Sequence, residues 1–156
     1  MDKFSNLGIT KTMFIGEYNH SIDNKKRLAI PSKFRKELGE KAILTRGLDN
    51  CLFLYPIQEW QKFSEKLGQL SMGQANTRSF ARLMLAGAAE AGFDSLGRIL
   101  IPDHLKNYAE LKKKIIVAGV LNRLEIWDEE KWINYKKEIE KNTDAIAEKL
   151  GELGLI

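Results

Sequence analysis

The chain has 156 residues, 44% hydrophobic and 29% charged, which suits a packed domain and is too apolar for a disordered chain. No apolar run approaches the ~18 residues of a membrane helix, and the single cysteine, Cys51, excludes an internal disulfide and a cysteine-built zinc site. Twenty-five Lys and Arg against twenty-one Asp and Glu leave a net +4, a mildly basic balance that decides little alone.

In chain order, residues 14–22 are apolar and β-prone (Phe14, Ile15, Tyr18, Ile22) and read as a strand. Asp23 to Arg27 reads as a turn, and Leu28, Ala29 and Ile30 as a short apolar strand. Pro31 has no N–H for a ladder and suits the first turn of a helix. Residues 32–38 then read as a short helix with Phe34 and Leu38 one turn apart. The Ser32 oxygen is expected to cap its start. Residues 42–45 and 52–55 are two further strands around a turn at Gly47–Asn50. A helix follows with Ile57, Trp60, Phe63, Leu67 and Leu70 on one apolar stripe, which reads as core packing. Residues 71–74 break it, and residues 77–86 form a linking helix with Phe80, Leu83 and Met84 inward.

The pattern then repeats. Asp23, Arg27 and Pro31 recur as Asp94, Arg98 and Pro102 at an offset of 71. After one inserted residue, Gly47, Asn50, Leu52 and Trp60 recur as Gly119, Asn122, Leu124 and Trp132 at an offset of 72. The second copy therefore predicts a helix start capped by Asp103, strands at 115–118 and 124–127, and a stripe of Trp132, Tyr135 and Ile139 that Ile146 and Leu150 extend. The chain reads as a tandem duplication of a unit of roughly 50 residues, too small to be comfortable alone. The two copies are expected to pack together or to pair across subunits.

Charge is uneven along the chain. Residues 25–46 hold eight basic side chains against two acids, and residues 125–152 hold nine acids against five Lys. A basic front and an acidic tail fit a chain that offers one face to a polyanion. The duplicated Asp-x-x-x-Arg turn is the sharpest local signal. Its Asp can accept backbone N–H bonds two residues on, Gly97 can take positive φ, and Arg27 and Arg98 sit at the loop rim with a five-donor fork. Such pairs can merely clamp their own turns, but a duplicated loop can also place two guanidinium groups on one face. Arg matches phosphate oxygens and the O6/N7 edge of guanine.

Catalytic readings are weak. His20 and His104 fall at non-equivalent positions without a nucleophile or metal partner nearby in sequence, Cys51 reads as packing, and Asp23 and Asp94 each have an Arg four residues on. There is no Gly-rich phosphate cradle. The chain is therefore not expected to be an enzyme, nor to need a cofactor, a metal or a small-molecule substrate.

The sequence resembles the MraZ family of bacterial transcriptional regulators, built from two SpoVT/AbrB-type swapped-hairpin domains. The resemblance rests on Met13-Phe14-x-Gly16, Ile22-Asp23-x-Lys25-x-Arg27-Leu28-x-Ile30-Pro31 and Leu52-x-Leu54-Tyr55-Pro56-x-x-x-Trp60 in copy one. In copy two it rests on Asp94-x-x-Gly97-Arg98-Ile99-Leu100-Ile101-Pro102 and Glu125-Ile126-Trp127-Asp128-x-x-x-Trp132. It implies an α+β fold of tandem duplicated, small β-barrel-like swapped-hairpin (AbrB-type) units, each followed by an amphipathic helix. It also implies a ring-shaped homo-oligomer that binds repeated sites in double-stranded DNA. Those sites would lie in the promoter of the chain's own gene, within the cell-division and cell-wall gene cluster. The implied DNA-facing residues are Asp23, Lys25, Arg27, Asp94 and Arg98, and Lys26 adds a phosphate contact.

The family usually has Gly where Lys26 stands; positive φ costs Lys more, so the first loop is expected to be able to take another turn shape. The implied division is an extension at 1–12, expected to be disordered, a first domain at 13–60, a helical linker at 61–87, a second domain at 88–132 and a helical tail at 133–156. A cytoplasmic, nucleoid-associated repressor is expected, with no membrane partner. The alternative is an AbrB-type scaffold or antitoxin-like partner binder with only non-specific DNA affinity.

Overall fold

The computed structural model describes residues 12–155. Residues 1–11, most of the expected N-terminal extension, lie outside the described residues; Thr12, its last residue, is buried.

Copy one runs β1 (Phe14–Ser21), β2 (Arg27–Ala29), α1 (Ser32–Leu38), β3 (Lys41–Arg46), β4 (Leu52–Pro56) and α2 (Ile57–Gly68). A linking helix α3 (Ala75–Ala81) continues into a π-helical turn, Arg82–Ala86. Copy two repeats the order as β5 (Ala89–Gly92), β6 (Arg98–Leu100), α4 (Asp103–Tyr108), β7 (Lys114–Leu121), β8 (Arg123–Asp128) and α5 (Glu129–Lys141), and α6 (Thr143–Glu152) closes the chain. The expected strands and helices are thus present, most ends shifted by a residue or two and β7 running three residues past its expected end. None of the described helices is long and apolar enough to cross a membrane.

The copies exchange strands. One antiparallel sheet runs β1-β7-β8-β4-β3-β5, a palindrome of the two copies, and β2 pairs with β6 in a separate two-stranded ribbon. At the centre Leu52 faces Ile126 and Leu54 faces Leu124. The first strand of each copy lies on the third strand of the other: Tyr18 faces Val117, and Ala91 faces Ala42. Gly119 permits this approach, because a Cβ there would meet the β1 backbone at Ile15 and Phe14. The units are barrel-like in enclosing a shared core. The ladder itself stays open among the described residues, with β1 and β5 as edges.

Two cores follow from the period-2 alternation of the central strands. Leu52, Leu54, Leu124 and Ile126 point to one face, where they meet Leu28 and Ile99 of the ribbon, Phe34 of α1 and Leu105 of α4. Phe53, Tyr55 and Trp127 point to the other face, against Trp60 and Phe63 of α2, Trp132 and Tyr135 of α5, and Met84. Being buried on both sides, β4 is apolar throughout rather than alternating with polar residues. The two ends of the expected stripe differ: Ile57, in the first turn of α2, and Leu70, past the end of that helix, lie exposed. The π turn is held by copy one, since the Thr45 hydroxyl donates to the Met84 carbonyl at 2.6 Å and Arg46 Nη1 to that of Leu83 at 3.1 Å.

The expected caps are absent. Pro31 and Pro102 occupy the cap positions of α1 and α4, and neither helix start has a side-chain cap hydrogen bond. Proline sets the entry angle, and the Asp103 carboxylate is engaged elsewhere by Lys26.

Candidate nucleic-acid interface

The two Asp-x-x-x-Arg loops are built alike. In the first, Asp23 Oδ1 accepts from the backbone N–H groups of Lys25 and Arg27, both at 2.9 Å, and Oδ2 accepts from Arg27 Nε at 2.7 Å. In the second, Asp94 Oδ1 accepts from the N–H groups of Leu96 and Arg98 at 2.9 Å, and Oδ2 from Arg98 Nε at 2.8 Å. Backbone bonds close both turns, Asp23 N–H to the Arg27 carbonyl and Asp94 N–H to that of Arg98, each 3.0 Å. The backbone N–H of Arg27, foremost among these bonds, holds the Asp23 carboxyl below its ordinary value, as that of Arg98 does for Asp94. Both carboxylates are therefore charged near neutral pH.

The expectation that Lys26 permits a different first turn is corrected. Lys26 takes φ of 61° where Gly97 takes 75°, and both donate their N–H to the loop Asp carbonyl at 3.0 Å. The shared Asp-to-backbone lattice imposes one turn on both sequences.

Each loop rests on the helix of the other copy. Lys26 Nζ pairs with Asp103 at the start of α4, and its hydrogen bond is the main reason the Asp103 carboxyl is held low. The guanidinium of Arg35 in α1 lies against Gly97 where a Cβ would stand, and Arg35 Nε is buried with no hydrogen-bond partner among the described residues. Sequence reasoning assigned Asp103 to a cap and Arg35 only to a charged stretch. Their contacts depend on the strand exchange, which no local pattern encodes.

The ribbon brings the loops together. Arg27 faces Leu100, Leu28 faces Ile99, and Ala29 faces Arg98. Leu28 and Ile99 are wholly buried, so alternation turns Arg27, Ala29, Arg98 and Leu100 to the outer face. Arg98 Nη1 stands 3.6 Å from Asp23 Oδ2, so the first carboxylate touches both arginines. The Arg27 and Arg98 side chains are 33% and 24% exposed. Each is anchored through Nε to its own loop carboxylate, and Arg98 is held a second time through Nη1 by Asp23. Lys25 stands exposed in the first loop. All six sequence-assigned residues, Asp23, Lys25, Lys26, Arg27, Asp94 and Arg98, thus lie on two adjoining loops. Other candidates are engaged otherwise: Cys51 is buried with its thiol pushed up by desolvation, and His104 Nε2 meets the Gly87 carbonyl at 3.0 Å.

A family model described as "MraZ protein, putative antitoxin-like" matches residues 13–83 and again 84–152. A protein named transcriptional regulator MraZ from Clostridium acetobutylicum is 51% identical over 143 residues, covering 92% of this chain and all of that one. Its namesake from Natranaerobius thermophilus is 47% identical over 138 residues, 88% of this chain and 96% of that one. The namesake from Clostridium tetani is 50% identical over 143 residues, again 92% of this chain and all of the other. With the family pattern matched twice in tandem, on the two copies whose strands interlock, the chain belongs to the MraZ family.

Proposed function

We propose that this chain is a DNA-binding transcriptional regulator that represses its own promoter in the cell-division and cell-wall gene cluster, acting in the cytoplasm on the nucleoid as a ring of identical subunits. The reading is of a regulator and not of an enzyme, in keeping with the name its relatives carry. The observation that carries it is the pair of anchored arginines on one two-stranded ribbon. A two-stranded β-ribbon fits the major groove, and an Arg fork matches the guanine edge. Lys25 supplies phosphate neutralisation, which makes affinity fall with salt, while the Lys26 ammonium is shared with Asp103. The loop carboxylates act as positioning groups, holding each guanidinium by Nε.

Exposed apolar surface supports the ring. Met13 and Ile15 are exposed at the β1 edge, while Leu85 is exposed on the π turn that packs on β3 near the opposite edge. Apolar surface at two opposite edges suits head-to-tail contacts, which close into rings. A ring binds repeated sites by raising the effective concentration of each next contact, with site spacing matched to the ~10 bp helical turn. A ring seated across the promoter excludes polymerase.

A gel shift on the DNA upstream of the chain's own gene tests this. The wild type binds, the Arg27→Ala and Arg98→Ala single variants bind weakly, and the double variant does not bind. An unchanged double variant overturns the assignment. A scaffold or antitoxin-like binder would instead show weak, sequence-blind retention.

A further inference from the structure

The two loops are built alike but do not present the same chemistry. Beside the first loop lies a shallow cleft of about 390 Å³ whose lining includes Asn24, Lys25, Lys26, Leu100 and Asp103. Leu100 projects from the outer ribbon face opposite Arg27 and is 60% exposed. A large aliphatic side chain beside an Arg that faces solvent contributes nothing to the core. In the other copy the equivalents of Asn24 and Leu100 are Ser95 and Ala29, so the amide-plus-aliphatic combination exists on one side of the pseudo-dyad only. Those two groups are complementary to one base pair. An amide pairs bidentately with the N6/N7 edge of adenine, and an apolar side chain packs on the thymine methyl.

We propose that Asn24 and Leu100, on the walls of this cleft, read an A·T base pair in the major groove beside the contact of Arg27. The inference rests on the DNA-binding function proposed above and adds base identity to it. It makes each subunit's reading lopsided, with an A·T contact next to the first loop and none next to the second.

The test measures fluorescence anisotropy of the full chain on its upstream DNA, amplified with either thymine or uracil, which lacks the methyl. The wild type binds the uracil DNA about fourfold more weakly, the size of one methyl contact. Leu100→Ala binds thymine DNA about fourfold more weakly than the wild type and gains nothing from the methyl. Asn24→Ala likewise becomes indifferent to 7-deaza-adenine, which lacks N7. Equal wild-type binding to thymine and uracil DNA overturns the inference while leaving the regulator reading intact. Continued methyl sensitivity of Leu100→Ala also overturns it. So does a changed oligomer size for that variant, which would make Leu100 a protein contact. Absence of wild-type binding to either DNA overturns the regulator reading itself.

Discussion

Lys26 and Gly97 hold the same turn position, with φ of 61° and 75°. A left-handed Lys costs about 1 kcal/mol against Gly, and its ion pair with the exposed Asp103 is solvent-screened and offsets little of that. Lys26→Gly is therefore expected to leave stability unchanged or raise it by about 0.5 kcal/mol in urea unfolding. Gly97→Ala should cost about 1–2 kcal/mol, since its φ is disfavoured for Ala and its Cβ runs into the Arg35 guanidinium. Adding Arg35→Ala should relieve the collision alone and leave the conformational part. The loop carboxylates are held low mainly by the backbone N–H groups of Arg27 and Arg98. A depressed carboxyl stabilises the fold above its unfolded value and loses that contribution as pH falls through the folded one. The loss therefore begins below about pH 4, and Asp23→Asn should flatten that acid limb in a stability-against-pH series. Between pH 6 and 8 neither carboxylate changes charge, so loop geometry and DNA affinity should not vary through them.

The ribbon is three residues per strand, too short to persist without its buried face. Leu28 and Ile99 face each other, both fully buried, so Leu28→Ala should cost about 2–5 kcal/mol and loosen both loops together. Thermal unfolding and DNA binding should fall in parallel, unlike the arginine variants, which should lose binding at unchanged stability. The strands of this ribbon and the helices after Pro31 and Pro102 were legible because proline, short apolar runs and the repeat all punctuate the chain locally. The loops were legible because their Asp and Arg recur at one spacing. What could not be read was pairing. That β2 meets β6, that α1 supports the second loop through Arg35, and that Asp103 turns from its own helix start to Lys26 are contacts between copies. The first turn departs from expectation for a related reason: intrinsic φ preference disfavours Lys26 there, and the lattice of bonds to Asp23 outweighs it.

Across the whole chain, duplication supplies two anchored guanidinium groups on one ribbon, and the proposed ring would multiply them. Lys25 stands exposed at the rim of this face, and Lys25→Ala should reduce the slope of log affinity against log salt by about one phosphate's worth with little effect on selectivity. Light scattering after size exclusion should give a closed oligomer, and Ile15→Asp at the exposed β1 edge should break it and weaken binding to repeated sites far more than to a single site. In the proposed function, Arg27 and Arg98, side by side on the ribbon, carry sequence recognition. Its most direct test is the ratio of affinities for the chain's own upstream DNA and a scrambled duplex at one salt concentration, for the wild type and the Arg27→Ala/Arg98→Ala variant. The ratio should be at least about 10³ for the wild type and collapse to near one in the variant; a variant that keeps the wild-type ratio would remove the two arginines from sequence recognition.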